Sequence, residues 1–209
     1  MNIYNVIILD ESGSMSSIYK ATLSSVNEVL NGIRRNQEEF PEQRHYVTIV
    51  TFEGEGMRGI KMRRDRVPVE VVHPFTPKDY RPGGCTPLYD AMGKTLSEME
   101  GRIRPDDKVM VTVITDGMEN ASQEYSGRTV KNLVARLREK GWVLAYIGAN
   151  QDSIEVARDL NIGNALNFEA SPDGMEAMSW SLVGAGRKMA KMAFEKKDLS
   201  TCSDLFSED

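Results

Sequence analysis

Oxygen-bearing side chains are concentrated in three short segments of the 209-residue chain. The segments are Asp-Glu-Ser-Gly-Ser at 10–14, Thr-Pro-Leu at 86–88 and Thr-Asp-Gly at 115–117. They supply five candidate metal ligands: Asp10, Ser12, Ser14, Thr86 and Asp116. Two carboxylates and three hydroxyls, with no His or Cys among them, suit a hard divalent cation. Mg²⁺ is the expected cofactor, and Mn²⁺ and Ca²⁺ are the alternatives.

The first and third segments directly follow apolar runs that predict buried strands at 3–9 and 109–114. In a parallel sheet the carboxyl ends of such strands meet at one edge, where ligands bind. The second segment follows Gly83 and Gly84, which let the backbone approach closely. The sequence therefore predicts that three loops build one metal site at one edge of a sheet.

Strands and helices alternate along the chain, which favours a parallel-dominated sheet. Further strands are predicted at 45–52, 59–63, 67–72, 142–147 and 165–168. Helices are predicted from residue 19, and at 87–103, 127–139, 153–160 (N-cap Asp152 or Ser153) and 172–194. The fold class is thus α/β: a three-layer, doubly wound (Rossmann-like), mostly parallel sheet with helices on both faces. We expect a single domain at 1–195 and an acidic, flexible C-terminal tail at 196–209.

Bulk properties exclude several classes of function. The net charge of −5 gives no general attraction to nucleic acid or to an anionic membrane. No apolar stretch approaches the roughly 20 residues that span a bilayer. The two cysteines, Cys85 and Cys202, form no Cys-x-x-Cys pair, and the N-terminus lacks the basic start of a signal peptide. We therefore expect a cytoplasmic protein that binds neither nucleic acid nor membrane.

The three segments resemble the metal-ion-dependent adhesion site (MIDAS) of von Willebrand factor type A (vWA) domains. Segment 10–14 matches the Asp-x-Ser-x-Ser element, Thr86 the isolated threonine and Asp116 the Thr-Asp-Gly aspartate, so the motif is complete. The resemblance spans about residues 3–194 and implies the vWA, or I-domain, type of fold. It also implies that the hydroxyls of Ser12, Ser14 and Thr86 bind the metal directly, and the two aspartates directly or through water. A partner's carboxylate would complete the coordination.

Other charged side chains have simpler interpretations. Glu11 and Glu119 either add negative charge near the metal or are solvated loop residues, and the second reading is favoured. The basic run from Arg58 to Arg66 is either a patch for nucleic acid or an acidic partner, or a charged edge hairpin protected against strand pairing, and the second reading is favoured. The methionines between 175 and 192 share one helix face and predict core packing.

Two functions from different classes fit the segments. The first is an intracellular, metal-dependent protein-binding module that captures a partner's Asp or Glu and works as an adaptor or assembly subunit. The resemblance allows an ATPase or other complex component as partner. The second is a Mg²⁺-dependent phosphatase of the haloacid-dehalogenase type with Asp10 as nucleophile. Ser12 stands where that class needs an acid, so the sequence favours the binding module and predicts no enzyme.

Overall fold

The computed structural model describes residues 1–149, 153–202 and 204–207. A six-stranded sheet has the order β3-β2-β1-β4-β5-β6. All neighbouring strands are parallel except β2 and β3, which are antiparallel. The strands are β1 Asn2–Asp10, β2 Arg44–Phe52, β3 Ile60–Pro68, β4 Lys108–Thr115, β5 Val143–Ala149 and β6 Asn164–Phe168. The predicted α/β class with a mostly parallel sheet is confirmed.

Five helices among the described residues cover the two faces of the sheet. They are α1 Tyr19–Glu39, α2 Leu88–Glu100, α3 Gly127–Glu139, α4 Ser153–Asp159 and α5 Pro172–Phe194. Along β1, Val6 and Ile8 join the core formed with α2, α3 and α4, while Ile7 and Leu9 join the core formed with α1 and α5. Alternate residues of a strand face opposite sides, so the apolar run in the second half of β1 is buried on both. Asp152, one of the two predicted N-caps of α4, lies outside the described residues.

The basic run forms one edge strand rather than the two short strands expected at 59–63 and 67–72. The pairing of β2 with β3 shifts register between Val47 and Val50, and Arg66 has a positive φ of 49°. The Arg66 backbone N–H donates to Thr48 Oγ1 at 3.1 Å instead of following the regular ladder. An irregularity of this kind bends a strand without ending it. The charged sequence around Asp65 therefore corresponds to a bulge within one strand and not to a boundary between two strands.

The α5 helix packs on one face of the sheet, and its last turns and the segment after it pack at the end opposite the loops at 10–14 and 115–117. The predicted apolar face of α5 is buried, including Met175, Met178 and Met189. Beyond α5, Leu199 and Leu205 are each 3% exposed and pack in the same cluster as Ile3 and Met189. Asn164 donates to the Cys202 carbonyl and accepts from the Leu205 backbone N–H. The described part of the predicted tail therefore packs against α5 and β6.

The described helices include none that is both long and apolar enough to span a bilayer.

Candidate metal centre

Asp10, the last residue of β1, is fully buried. One carboxylate oxygen accepts the Ser12 backbone N–H at 2.7 Å, and the other accepts the Thr115 hydroxyl at 2.6 Å. Burial raises the pKa of Asp10 to about 6, although the hydrogen bonds from Thr115 and Ser12 oppose this rise. The central strand thus holds a carboxylate in a fixed orientation where its charge is poorly solvated.

Ser12 and Ser14 follow on a short 3₁₀ turn that begins at Gly13. Their hydroxyl oxygens are 3.1 Å apart, and the Ser14 hydroxyl donates to Asp116 Oδ1 at 2.6 Å. Ser14 and Asp116 are 102 positions apart in sequence. Burial also raises the pKa of Asp116. The first and third segments therefore meet through side-chain oxygens, as their strand-end positions predict.

Thr86 is brought to the same place by a close approach of its loop to the strand ends. Gly84 has a φ of +65°, and a Cβ there would lie 2.6 Å from Glu53 Oε2 and 2.7 Å from the Gly54 nitrogen. Only glycine fits such a position without strain. The Gly84 carbonyl accepts the Gly13 backbone N–H at 3.1 Å, which joins this loop to segment 10–14. Thr86 itself is 3% exposed.

Three of the five side chains place an oxygen beside Gly117. A Cβ built on Gly117 would lie 3.1 Å from Thr86 Oγ1, 3.6 Å from Ser14 Oγ and 3.7 Å from Asp10 Oδ2. Two oxygens of the first segment and one of the second therefore surround a point that a glycine of the third segment keeps open, and Ser14 links this group to Ser12 and Asp116. All five candidate ligands offer carboxylate or hydroxyl oxygens, and hard divalent cations prefer oxygen ligands. The arrangement fits a small cation of this class.

The sequence did not single out three residues that support the site. The Thr115 hydroxyl donates to the Asp10 carboxylate and so orients it. Its position next to Asp116 in the sequence could have indicated this role. Tyr80 donates its hydroxyl to the Asp10 carbonyl at 2.7 Å. Asn120 contacts the backbone of Thr86. Nothing local in the sequence marks Tyr80 or Asn120, because each acts on a residue 34 or more positions away.

Glu11 and Glu119 are not the solvated loop residues that the sequence favours. Glu11 is fully buried, and Arg63 Nη2 lies 2.9 Å from its carboxylate, with Lys61 Nζ at 3.8 Å. Glu119 accepts backbone N–H groups of Tyr89, Ala121 and Ser122. Both carboxylates are therefore engaged by donors within the fold.

The basic run supplies partners for these and other acidic side chains. Besides Arg63, Lys61 pairs with Glu53 at 2.9 Å and Arg64 with Asp79 at 2.8 Å. The predicted edge position of the basic run is confirmed, and its Arg63 and Lys61 pair with the acidic side chains of Glu11 and Glu53 next to the site.

The described residues contain no second candidate metal site built from His, Cys, Asp or Glu side chains. No group of three or more His, Cys, Asp or Glu side chains in them could hold a metal ion. Cys85 and Cys202 are both free thiols, and Cys85 is exposed next to Thr86.

Comparison with known proteins identifies the family. The model of the von Willebrand factor type A domain matches residues 6–176, so the chain belongs to this family of protein-interaction modules. No curated protein sequence matches the chain.

Solved structures share the fold at low sequence identity. One is proximal thread matrix protein 1 from the mussel byssus, with a zinc-occupied MIDAS motif. It is 15% identical and has a TM-score of 0.61, and the match covers 90% of this chain and 46% of that protein. A von Willebrand factor type A protein from Catenulispora acidiphila is 13% identical (TM-score 0.56; 92% and 42% covered). The pilus adhesin SpaC from Lactobacillus rhamnosus GG is 14% identical (TM-score 0.61; 93% and 30%). The chain spans less than half the length of each.

Proposed function

We propose that this von Willebrand factor type A domain binds a divalent cation, Mg²⁺ in the first instance, and through it an acidic side chain of a protein partner. The observation that carries the proposal is the convergence of Thr86 Oγ1, Ser14 Oγ and Asp10 Oδ2 on one point beside Gly117. The hydroxyls of Ser12, Ser14 and Thr86 would hold the cation, with Asp10 and Asp116 as direct or outer ligands. Once bound, the cation supplies a positive centre that attracts an anionic oxygen.

The charges around the site favour an anionic ligand. Of the acidic residues next to it, Glu11 is neutralised by Arg63, and Glu119 is used by backbone N–H groups. The proposed ligands themselves carry only the charges of Asp10 and Asp116, because the three hydroxyls are neutral. These two carboxylates at most cancel the two positive charges of the cation, so an incoming carboxylate meets no excess negative charge from the ligand set. An Asp or Glu side chain is the simplest such ligand that a protein partner offers.

The comparisons support a binding role, but they do not indicate the partner or the cellular compartment. One solved structure of this fold, a matrix protein from the mussel byssus, carries zinc in its MIDAS motif, and another is a pilus adhesin. For this chain we propose an adaptor or assembly role in the cytoplasm, beside an ATPase or another complex component. The two free thiols agree with a reducing compartment.

The geometry does not favour the phosphatase alternative. A nucleophilic carboxylate must reach its substrate, but Asp10 is fully buried and each of its carboxylate oxygens accepts a hydrogen bond shorter than 2.8 Å. Ser12, at the position of the required acid, has a hydroxyl that cannot act as a general acid at neutral pH.

Metal-dependent stabilisation tests the proposal directly. A cation that binds only the folded state stabilises it by about 2.7 kcal/mol at 100 times its Kd. This corresponds to a rise in Tm of roughly 5 to 10 °C for a domain of this size. The wild type should show the rise with MgCl₂. Asp116→Ala should not, and neither should Gly117→Ala, whose new methyl group occupies the convergence point while every ligand is kept.

Asp106→Ala, at an exposed aspartate away from the site, is the matched control and should respond like the wild type. A wild-type Tm that does not change with Mg²⁺, Mn²⁺ or Ca²⁺ would contradict the proposal. The partner itself can then be sought by comparing pull-downs from native extract with Mg²⁺ and with EDTA. The Ser12→Ala/Ser14→Ala variant serves there as the negative control.

A further inference from the structure

Thr86 is held by a single residue of another loop. The Thr86 backbone N–H donates to Asn120 Oδ1 at 2.8 Å, and the Asn120 backbone N–H donates to the Thr86 carbonyl at 3.2 Å. Both backbone polar groups of Thr86 are therefore bound to one residue. With its backbone fixed from both sides, the Thr86 side chain has Oγ1 directed at the point beside Gly117. We call this reciprocal pair the Thr86–Asn120 clamp.

Two buried or half-buried carboxylates extend the clamp over the start of α2. Glu119 accepts the Tyr89 backbone N–H at 2.9 Å, together with two N–H groups of its own loop. In the opposite direction, Asp90 on α2 accepts the backbone N–H groups of Gln123, Glu124 and Tyr125 at 2.7 to 2.9 Å. Charge-assisted bonds of this kind are among the stronger hydrogen bonds in proteins. The loop 116–126 and the first turn of α2 therefore form one rigid unit.

The loop at 10–14 is joined to this unit differently. A candidate ligand takes part directly, because Ser14 Oγ donates to Asp116 Oδ1, and two backbone bonds join Gly13 to Gly84 and Gly83 to Glu11. The position of Thr86 relative to loop 116–126 is set instead by Asn120, which lies outside the ligand set.

We infer that Asn120 is a positioning residue that gives the site its preference for Mg²⁺ over Ca²⁺. The inference rests on the proposed metal site. Mg²⁺ requires near-ideal octahedral geometry at about 2.0 to 2.1 Å, whereas Ca²⁺ accepts irregular ligands at about 2.3 to 2.6 Å. A threonine ligand that is fixed through both of its backbone polar groups suits the first ion. A threonine that keeps only the bond from the Asn120 backbone N–H, and has lost the bond to the Asn120 side chain, suits the second equally well.

The test compares Mg²⁺ and Ca²⁺ affinities by calorimetry in the wild type, Asn120→Ala and Asn120→Asp. Loss of an outer partner of a metal ligand typically costs 10- to 100-fold in metal affinity. We expect Asn120→Ala to weaken Mg²⁺ binding at least about tenfold and Ca²⁺ binding clearly less, so that the ratio of the two Kd values shifts toward Ca²⁺. Asn120→Asp keeps the acceptor oxygen and should retain the wild-type order of the two ions. Asn132→Ala, at an exposed asparagine of α3, should leave both affinities unchanged.

A second measurement does not depend on any metal. Amide hydrogen exchange of Thr86 in metal-free protein should be faster in Asn120→Ala and close to wild type in Asn120→Asp. Unchanged exchange, or an Asn120→Ala variant that loses Mg²⁺ and Ca²⁺ affinity by the same factor, overturns the role of Asn120 while leaving the metal site intact. A wild type that binds neither ion overturns the proposed function, and the selectivity inference with it.

Discussion

His45 should make this protein acid-sensitive, and the size of the effect can be worked out from its surroundings. The imidazole is 1% exposed, with Nε2 at 3.0 Å from Gln43 Oε1 and Nδ1 at 3.4 Å from Asn5 Nδ2. In the neutral ring Nε2 donates to Gln43 and Nδ1 accepts from Asn5. A second proton on Nδ1 would face the Asn5 amide donor and remove that hydrogen bond. Burial lowers the pKa of His45 to about 4.

In the unfolded chain a histidine titrates near 6.5. Between that value and about 4 the unfolded state binds more protons than the folded state, so the free energy of unfolding falls as the pH falls. The contribution of His45 is fully present above pH 6.5. From these two pKa values the loss is about 2 kcal/mol at pH 5 and about 3 kcal/mol once the pH is below both.

Urea unfolding of metal-free protein at pH 7 and pH 5 measures this loss. His45→Gln removes the titrating group, so its stability should fall between the two pH values by about 2 kcal/mol less than that of the wild type. His73, the other histidine, is exposed, and His73→Gln should keep the wild-type pH dependence. If the wild type and His45→Gln lose equal stability between pH 7 and pH 5, the argument from burial is wrong.

Two further predictions concern stability and use matched pairs of variants in denaturant titrations. Arg63→Ala leaves Glu11 buried with only Lys61, at 3.8 Å, as a charged partner, so it should cost about 3 kcal/mol. Arg58→Ala, at an exposed arginine of the same basic run, should change stability by less than about 0.5 kcal/mol, and equal costs would contradict the role given to Arg63. Gly93→Ala would place a Cβ 2.1 Å from the Tyr125 ring, whereas the Cβ of Gly184→Ala would have no heavy atom within 4 Å. Both gain the same helix propensity, so Gly93→Ala should be less stable than Gly184→Ala by about 1 to 3 kcal/mol, and equal stabilities would refute the clash.

Features that depend on local pattern could be predicted from the sequence. The apolar runs before Asp10 and Asp116 predicted β1 and β4 to within a residue or two at each end. Their burial on both faces leaves little room for polar residues, so the pattern is unambiguous. The meeting of the first and third oxygen-bearing segments followed from strand direction, whereas the second segment follows no strand.

Features that depend on distant partners could not be predicted. Glu11 looked like a solvated loop residue because its neutralising partner, Arg63, lies 52 positions away on an edge strand. The same charged run was divided into two strands because a bulge, unlike a turn, has no strong local signal. The role of Asn120 depends on the backbone of Thr86, 34 positions away. In each case the role of the side chain depends on a tertiary contact between distant segments, which the local sequence does not indicate.

The order of the strands also determines when the metal site can exist during synthesis. Asp10 and its hydrogen-bond donor Thr115 are 105 positions apart, and they meet only after β4 has paired with β1. At about 5 to 20 residues per second, the ribosome releases the third segment on the order of 5 to 20 s after the first. A nascent chain therefore carries its first aspartate and both serines for many seconds without a complete site. Cation capture can then only follow the assembly of the central sheet and cannot nucleate it.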